Sequence, residues 1–127
     1  MIIPKQGLLA SARLKRAVPG IRRVILARTD GIALYDDASL VQRDTGAAMT
    51  ATLLGLATSV AAALAVGGVR SAAVTTATDL LIVFPVDDGH LLAVLASPEI
   101  DMRVLTEQAE MVTAQLGGRW RHVATPA

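Results

Sequence analysis

Cysteine is absent from the 127 residues, which removes disulfides, thiolate nucleophiles and Cys-ligated zinc together. Aromatic residues are nearly absent as well: one Trp, one Tyr and one Phe leave no stacking platform for single-stranded nucleic acid. Charge is sparse and balanced, with 12 Lys and Arg against 11 Asp and Glu for a net charge of +1. The basic clusters Arg22-Arg23 and Arg119-Trp120-Arg121 are too short to track a phosphate backbone, so nucleic acid is not an expected partner. Of the two histidines, His90 falls in a predicted turn and His122 near the end of the sequence, and nothing brings them together around a metal or a reacting group. The opening MIIPKQGLL lacks a signal peptide's order of basic region, long apolar run and small-residue cleavage site. With no cysteine either, the expected location is cytoplasmic.

What the sequence does have is apolar residue. Hydrophobic types make up 53% and charged types only 18%, with mean hydropathy +0.51, so much of the surface is expected to be covered by partners. Residues 45–66, TGAAMTATLLGLATSVAAALAV, carry no charge at all. As a helix they run to roughly 33 Å, close to the thickness of a bilayer core. A rotation of about 100° per residue puts Met49, Leu53, Leu56, Val60 and Leu64 on one stripe. It puts Ala47, Ala51, Gly55, Thr58 and Ala62 on the other, with Leu54 at its margin. A membrane span is apolar all round and carries aromatic or basic anchors, whereas this segment has a large face, a small face and no Trp or Tyr at either end. Membrane insertion is not expected. Two seatings remain: burial within the monomer, or the large face on a sheet with the small face, where backbones approach closely, on another protein.

The remaining elements follow from local signals. Residues 7–18 form a helix stopped by Pro19-Gly20. RRVILART and residues 32–36 form two strands around Asp30-Gly31, a pair suited to a type I′ turn. After Gly67-Gly68 come a strand of small and β-branched residues with Arg70 as an edge marker, the apolar LLIVFPV, a turn at Asp87-Asp88-Gly89-His90, and LLAVLA. A last helix begins at Ser97-Pro98 or at Asp101 and buries Leu105, Ala109, Val112 and Leu116 before Gly117-Gly118. The order is α-β-β-α-β-β-β-α. Strands apolar on both faces need cover on both sides, which gives a three-layer α/β domain on a five-stranded antiparallel sheet, the long helix on one face and the terminal helices on the other. One domain over residues 1–118, then a tail over 119–127, fits the length.

Candidate chemistry is thin. Asp30, Asp36, Asp37, Asp87 and Asp88 all fall at turns, where aspartate bonds the local backbone. The glycine pairs do not match a phosphate loop, which needs strand, glycines, Lys and helix in that order. The many Ser and Thr have no activating base. No catalytic, cofactor-binding or metal-ligating residue is nominated, and the chain reads as a binding module rather than an enzyme.

The stretch AVPGIRRVILARTDGIALYDD, with Val18-Pro19-Gly20 and Asp30-Gly31, the uncharged Ala-rich helix, the meander and LLAVLA before a last helix resemble the roadblock/LC7 domain family. The resemblance covers residues 7–116; Ser97-Pro98-Glu99-Ile100-Asp101 replaces the family's common Asn-Leu-Gly-like entry to the last helix, and the first helix is short. It implies a profilin-like or longin-like architecture and a dimer, homodimer or heterodimer, in which the long helices lie side by side and the following strand, residues 69–76, pairs edge to edge with its counterpart. Ala72 and Val74 would lie on that strand. It also implies, for the bacterial type, a small Ras-like GTPase bound across the paired helices, regulated or scaffolded without a catalytic residue from the domain. Combined with the helix reading, the expected contact surface is Ala47, Ala51, Leu54, Gly55, Thr58 and Ala62, with Arg43, Asp44 and Arg70 as a polar rim. A different class, a profilin-like or PAS-like small-molecule sensor, needs a pocket with convergent polar groups, of which the strands offer few.

Overall fold

The computed structural model describes residues 2–117; the expected tail and residue 118 lie outside the described residues. Elements run α1 (Pro4–Ala17), β1 (Ile21–Arg28), β2 (Ala33–Asp36), α2 (Leu40–Leu64), β3 (Ala72–Thr75), β4 (Leu80–Asp87), β5 (His90–Ala96) and α3 (Met102–Leu116). The strands form one antiparallel sheet in the order β2-β1-β5-β4-β3. This is the expected three-layer α/β domain.

The boundaries show which local signals decided them. α1 starts three residues before the expected Gly7, because Pro4 suits a first helical position and Gln6 Oε1 accepts the Ile3 amide at 2.8 Å. α3 starts at the second of its two candidate caps: Asp101 Oδ1 accepts from the amides of Arg103 (3.0 Å) and Val104 (3.2 Å). The β1–β2 connection departs from a type I′ turn. Gly31 has φ +94°, but Ala65 is the only non-glycine with positive φ among the described residues, so Asp30 does not adopt the required conformation. The loop is closed by Arg28 N to Ile32 O at 2.8 Å and Gly31 N to Arg28 O at 2.9 Å, and a register shift falls between Leu26 and Ala27. β3 is four residues long, shorter than the expected 69–76.

The sheet divides the interior into two unequal parts. Toward α1 and α3 lie Leu14, Val18, Val24, Leu26, Phe84, Leu92, Leu105 and Val112, all essentially inaccessible to water. Toward α2 the cluster is smaller: Ile25, Ala27, Val83, Leu91 and Ala93 from the sheet, met by Ala47 and Leu54 from the helix. The four consecutive buried residues Val24–Ala27 face both layers alternately, as a doubly covered strand requires.

Candidate interaction surface on α2

α2 begins at Leu40, five residues before the uncharged stretch, and ends at Leu64 with Ala65 in the left-handed region (φ 55°, ψ 44°). Its N-terminal part is bolted to the sheet by buried charge. Asp36, fully buried at the end of β2, accepts from Arg23 Nε (2.8 Å) and Nη2 (2.7 Å) and from the Ala38 amide (2.8 Å). Hydrogen bonding to Asp36 holds the Arg23 guanidinium above its usual value, against the opposing effect of burial. Arg23 Nη2 also lies 2.6 Å from where a Cβ on Gly46 would stand, so only glycine lets the helix backbone come this close to β1. Beside it, Asp37 accepts from Ser11, Tyr35, the Val24 amide and Lys15 Nζ (2.8 Å). Burial pushes the Asp37 carboxyl up, yet Lys15, Tyr35, Val24 and Ser11 together outweigh it and hold the group below the ordinary carboxylate range. The bond to Asp37, with burial second, pushes the Tyr35 phenol up.

This anchoring rotates α2 by roughly a third of a turn from the expected seating. The line on the sheet is Ala47, Thr50 and Leu54, with Ala51 and Leu53 half-buried on its flanks. Thr50 satisfies its hydroxyl inside the helix, donating to Gly46 O at 2.8 Å and sharing with Ala47 O at 3.2 Å. The stripe expected to be inward is therefore largely outward: Met49 is 58% exposed, Leu56 62%, Val60 49% and Leu64 66%. These four were missed as surface residues because a large apolar face was assumed to seek the core. Gly46, the one signal of a close helix–strand approach, lies at the start of the stretch.

Each expected contact residue now has a place. Ala47 and Leu54 are buried under α2 against the chain's own sheet and are unavailable to a partner; this corrects the expectation. Ala51 is half-buried. Gly55, Thr58 and Ala62 are exposed along the side of α2 away from the Met49–Leu64 stripe, and a Cβ on Gly55 would meet nothing within 4 Å. Arg43 is not a free rim residue: it donates to Asp36 O (2.7 Å) and Ala38 O (3.2 Å), closing the loop between β2 and α2. Asp44 is exposed, and Arg70, also exposed, pairs with Glu110 of α3 at 2.6 Å. On the edge strand Ala72 is half-buried and Val74 is 40% exposed. Leu53, Leu56, Ala57 and Val60 share a groove of about 410 Å³ with Val66 and Ala73, so the apolar stripe and the β3 side of the sheet form one continuous surface.

α2 is long and apolar enough to cross a membrane, with mean hydropathy 1.7 over an 18-residue window, and 17% of that window is buried. Little of its apolar surface is thus covered within the monomer. Elsewhere, His90 Nδ1 bonds Asp87 Oδ1 at 2.8 Å within the β4–β5 turn, and among the described residues no group of three His, Asp or Glu is placed to hold a metal.

The roadblock/LC7 domain model matches residues 9–96. No curated protein matches the sequence. Among solved structures, a roadblock/LC7 domain from Streptomyces avermitilis superposes with TM-score 0.80 at 27% identity, covering 94% of this chain and 98% of that one. MglB from Myxococcus xanthus superposes with TM-score 0.79 at 14% identity, covering 93% and 96%. An MglB with a tetrameric arrangement gives 0.77 at 14%, covering 91% of each. Element order, sheet topology and the matched residues agree: the chain belongs to the roadblock/LC7 domain family.

Proposed function

We propose that this protein is a non-enzymatic, cytoplasmic homodimer that binds a small Ras-like GTPase and regulates it or holds it in a complex. The observation that carries the reading is the exposed stripe Met49, Leu56, Val60 and Leu64 beside the open edge of β3. A second copy, related by a two-fold axis, covers that stripe with its own and adds its β3 to the free edge. Lipid is a poorer cover, since the opposite side of α2 is seated on the sheet through Ala47, Thr50 and Leu54. Ala72, Val74 and Arg70 then lie at the seam. Asp44, Gly55, Thr58 and Ala62, on the other side of α2, are left for the second partner.

GTPase regulation is what membership of the family and likeness to the MglB fold support; the organisation of the site adds that nothing in it is suited to attack or proton transfer. The test is affinity capture on the full chain with purified small GTPases of the native host, each loaded with a GTP analogue or with GDP. Retention of one of them in a nucleotide-dependent way is the expected result. Equal retention in both states reassigns the protein to scaffolding, and retention of none overturns the GTPase assignment.

A further inference from the structure

The groove on the far side of α2 has a candidate occupant in the chain itself. Gly117 caps α3 with φ +135°, and a Cβ there would stand 3.8 Å from Asp87 Oδ2. Asp87 also lines a cleft of about 380 Å³ between the β4–β5 turn and α2. The chain therefore leaves α3 at the lip of this cleft. Its floor is apolar, from Leu54, Val69 and Pro85, with the bare Cα of Gly55 at one side, and its rim carries the carboxylates of Asp87 and Asp88. Asp87 Oδ1 is engaged by the Gly89 amide and by His90 Nδ1, both at 2.8 Å, while Oδ2 is the oxygen nearest Gly117. Among the described residues no lysine or arginine lines the cleft.

The sequence after Gly117 reads Gly118-Arg119-Trp120-Arg121-His122. It places an indole between two guanidinium groups, three residues beyond the lip. Three extended residues reach about 10 Å, enough to pass Asp87 and enter the cleft. We propose that Trp120 docks in the cleft beside Gly55, with Arg119 and Arg121 on the acidic rim of Asp87 and Asp88. The match is one of chemistry on both counts: an aromatic ring that is largely apolar meets an apolar floor, and two cations flank it where two anions flank the floor. Docked there, the segment covers Gly55 and Thr58, and a partner approaching that side of α2 must displace it. The docking stands on the cleft and its charge alone and does not depend on which partner the protein has.

Trp120 is the sole tryptophan, so its fluorescence reports on this contact without labelling. Excited at the red edge, where Tyr35 contributes little, the full chain is expected to emit to the blue of N-acetyltryptophanamide and to be quenched several-fold less by acrylamide. Gly55→Leu fills the cleft, and Asp88→Lys reverses the rim at an exposed position; each is expected to return emission and quenching toward those of the free indole, with far-UV circular dichroism unchanged. High salt should weaken the protection of the wild type and leave Gly55→Leu unaffected. A wild-type indole as accessible as the free compound overturns the proposal. So does protection that survives Asp88→Lys and Gly55→Leu in folded protein, or protection lost on dilution to monomer, which would place the indole against a second copy.

Discussion

Leu56→Glu tests the seam most directly. Leu56 is 62% exposed in the monomer, so the change removes no core contact, and glutamate is as good a helix former as leucine. Full burial of a leucine contributes about 1.5–3 kcal/mol, and with more than half of the residue still accessible about 1–2 kcal/mol remains to be gained on dimerisation. A two-fold interface uses each residue twice, so the loss is about 2–4 kcal/mol per dimer, before any cost of placing two carboxylates against apolar surface. At 1.4 kcal/mol per tenfold this is a rise in dissociation constant of about 30- to 1,000-fold. Sedimentation velocity over a concentration series measures it, with Ala12→Glu, exposed on α1 in the opposite layer, as the control for added charge. If Leu56→Glu self-associates as tightly as the wild type while remaining helical, the stripe is not the seam and the reasoning from its exposure fails.

Three further outcomes follow from the anchoring of the helices. Arg23→Met leaves the fully buried Asp36 carboxylate with the Ala38 amide as its remaining donor among those described, and should cost about 3–5 kcal/mol in urea denaturation; Arg23→Met with Asp36→Leu should recover most of that loss. Gly7→Ala places a Cβ 2.3 Å from Tyr35 Cβ, so α1 must lift from β2; a loss of about 1–3 kcal/mol from overpacking should outweigh the gain of up to about 1 kcal/mol in helix propensity, read as a lower thermal midpoint. Asp37, whose carboxyl titrates below its unfolded value, contributes stability that is fully present above about pH 4 and fades as pH falls through its lower folded value; stability curves for Asp37→Asn should therefore lie below the wild type at neutral pH and converge with it in acid.

The parts of the fold legible in sequence were those where one signal decided. β4 and β5 are continuous apolar runs, and in α3 Leu105, Ala109, Val112 and Leu116 mark the only apolar stripe, all four of them buried. The long helix was legible as an element, not in its seating. Hydropathy ranks apolar against polar, and α2 has a large apolar side and a small apolar side, so periodicity could not choose between them. The choice was made by Gly46 against Arg23, a contact between residues far apart in sequence. Arg43 was misread for a similar reason: whether an arginine borders a surface or closes a loop depends on which carbonyls it reaches, here those of Asp36 and Ala38. Absence of charge marked residues 45–66, and the same criterion hid the first helical turn, whose Arg43 and Asp44 belong to the helix.

The two ends of the sheet are not alike, and that asymmetry sets how far an assembly can grow. At the β2 end the Asp36 carbonyl is taken by Arg43, and the strand stops after four residues in a loop tied by the same side chain. At the β3 end Ala73, Val74 and Thr75 stand open. A sheet with a single available end can be extended once, by its own likeness, after which the ten strands present only blocked ends to solution. Growth by strand addition is then self-terminating, and a chain this rich in apolar residue is kept from polymerising into fibres by the guanidinium that closes its far side.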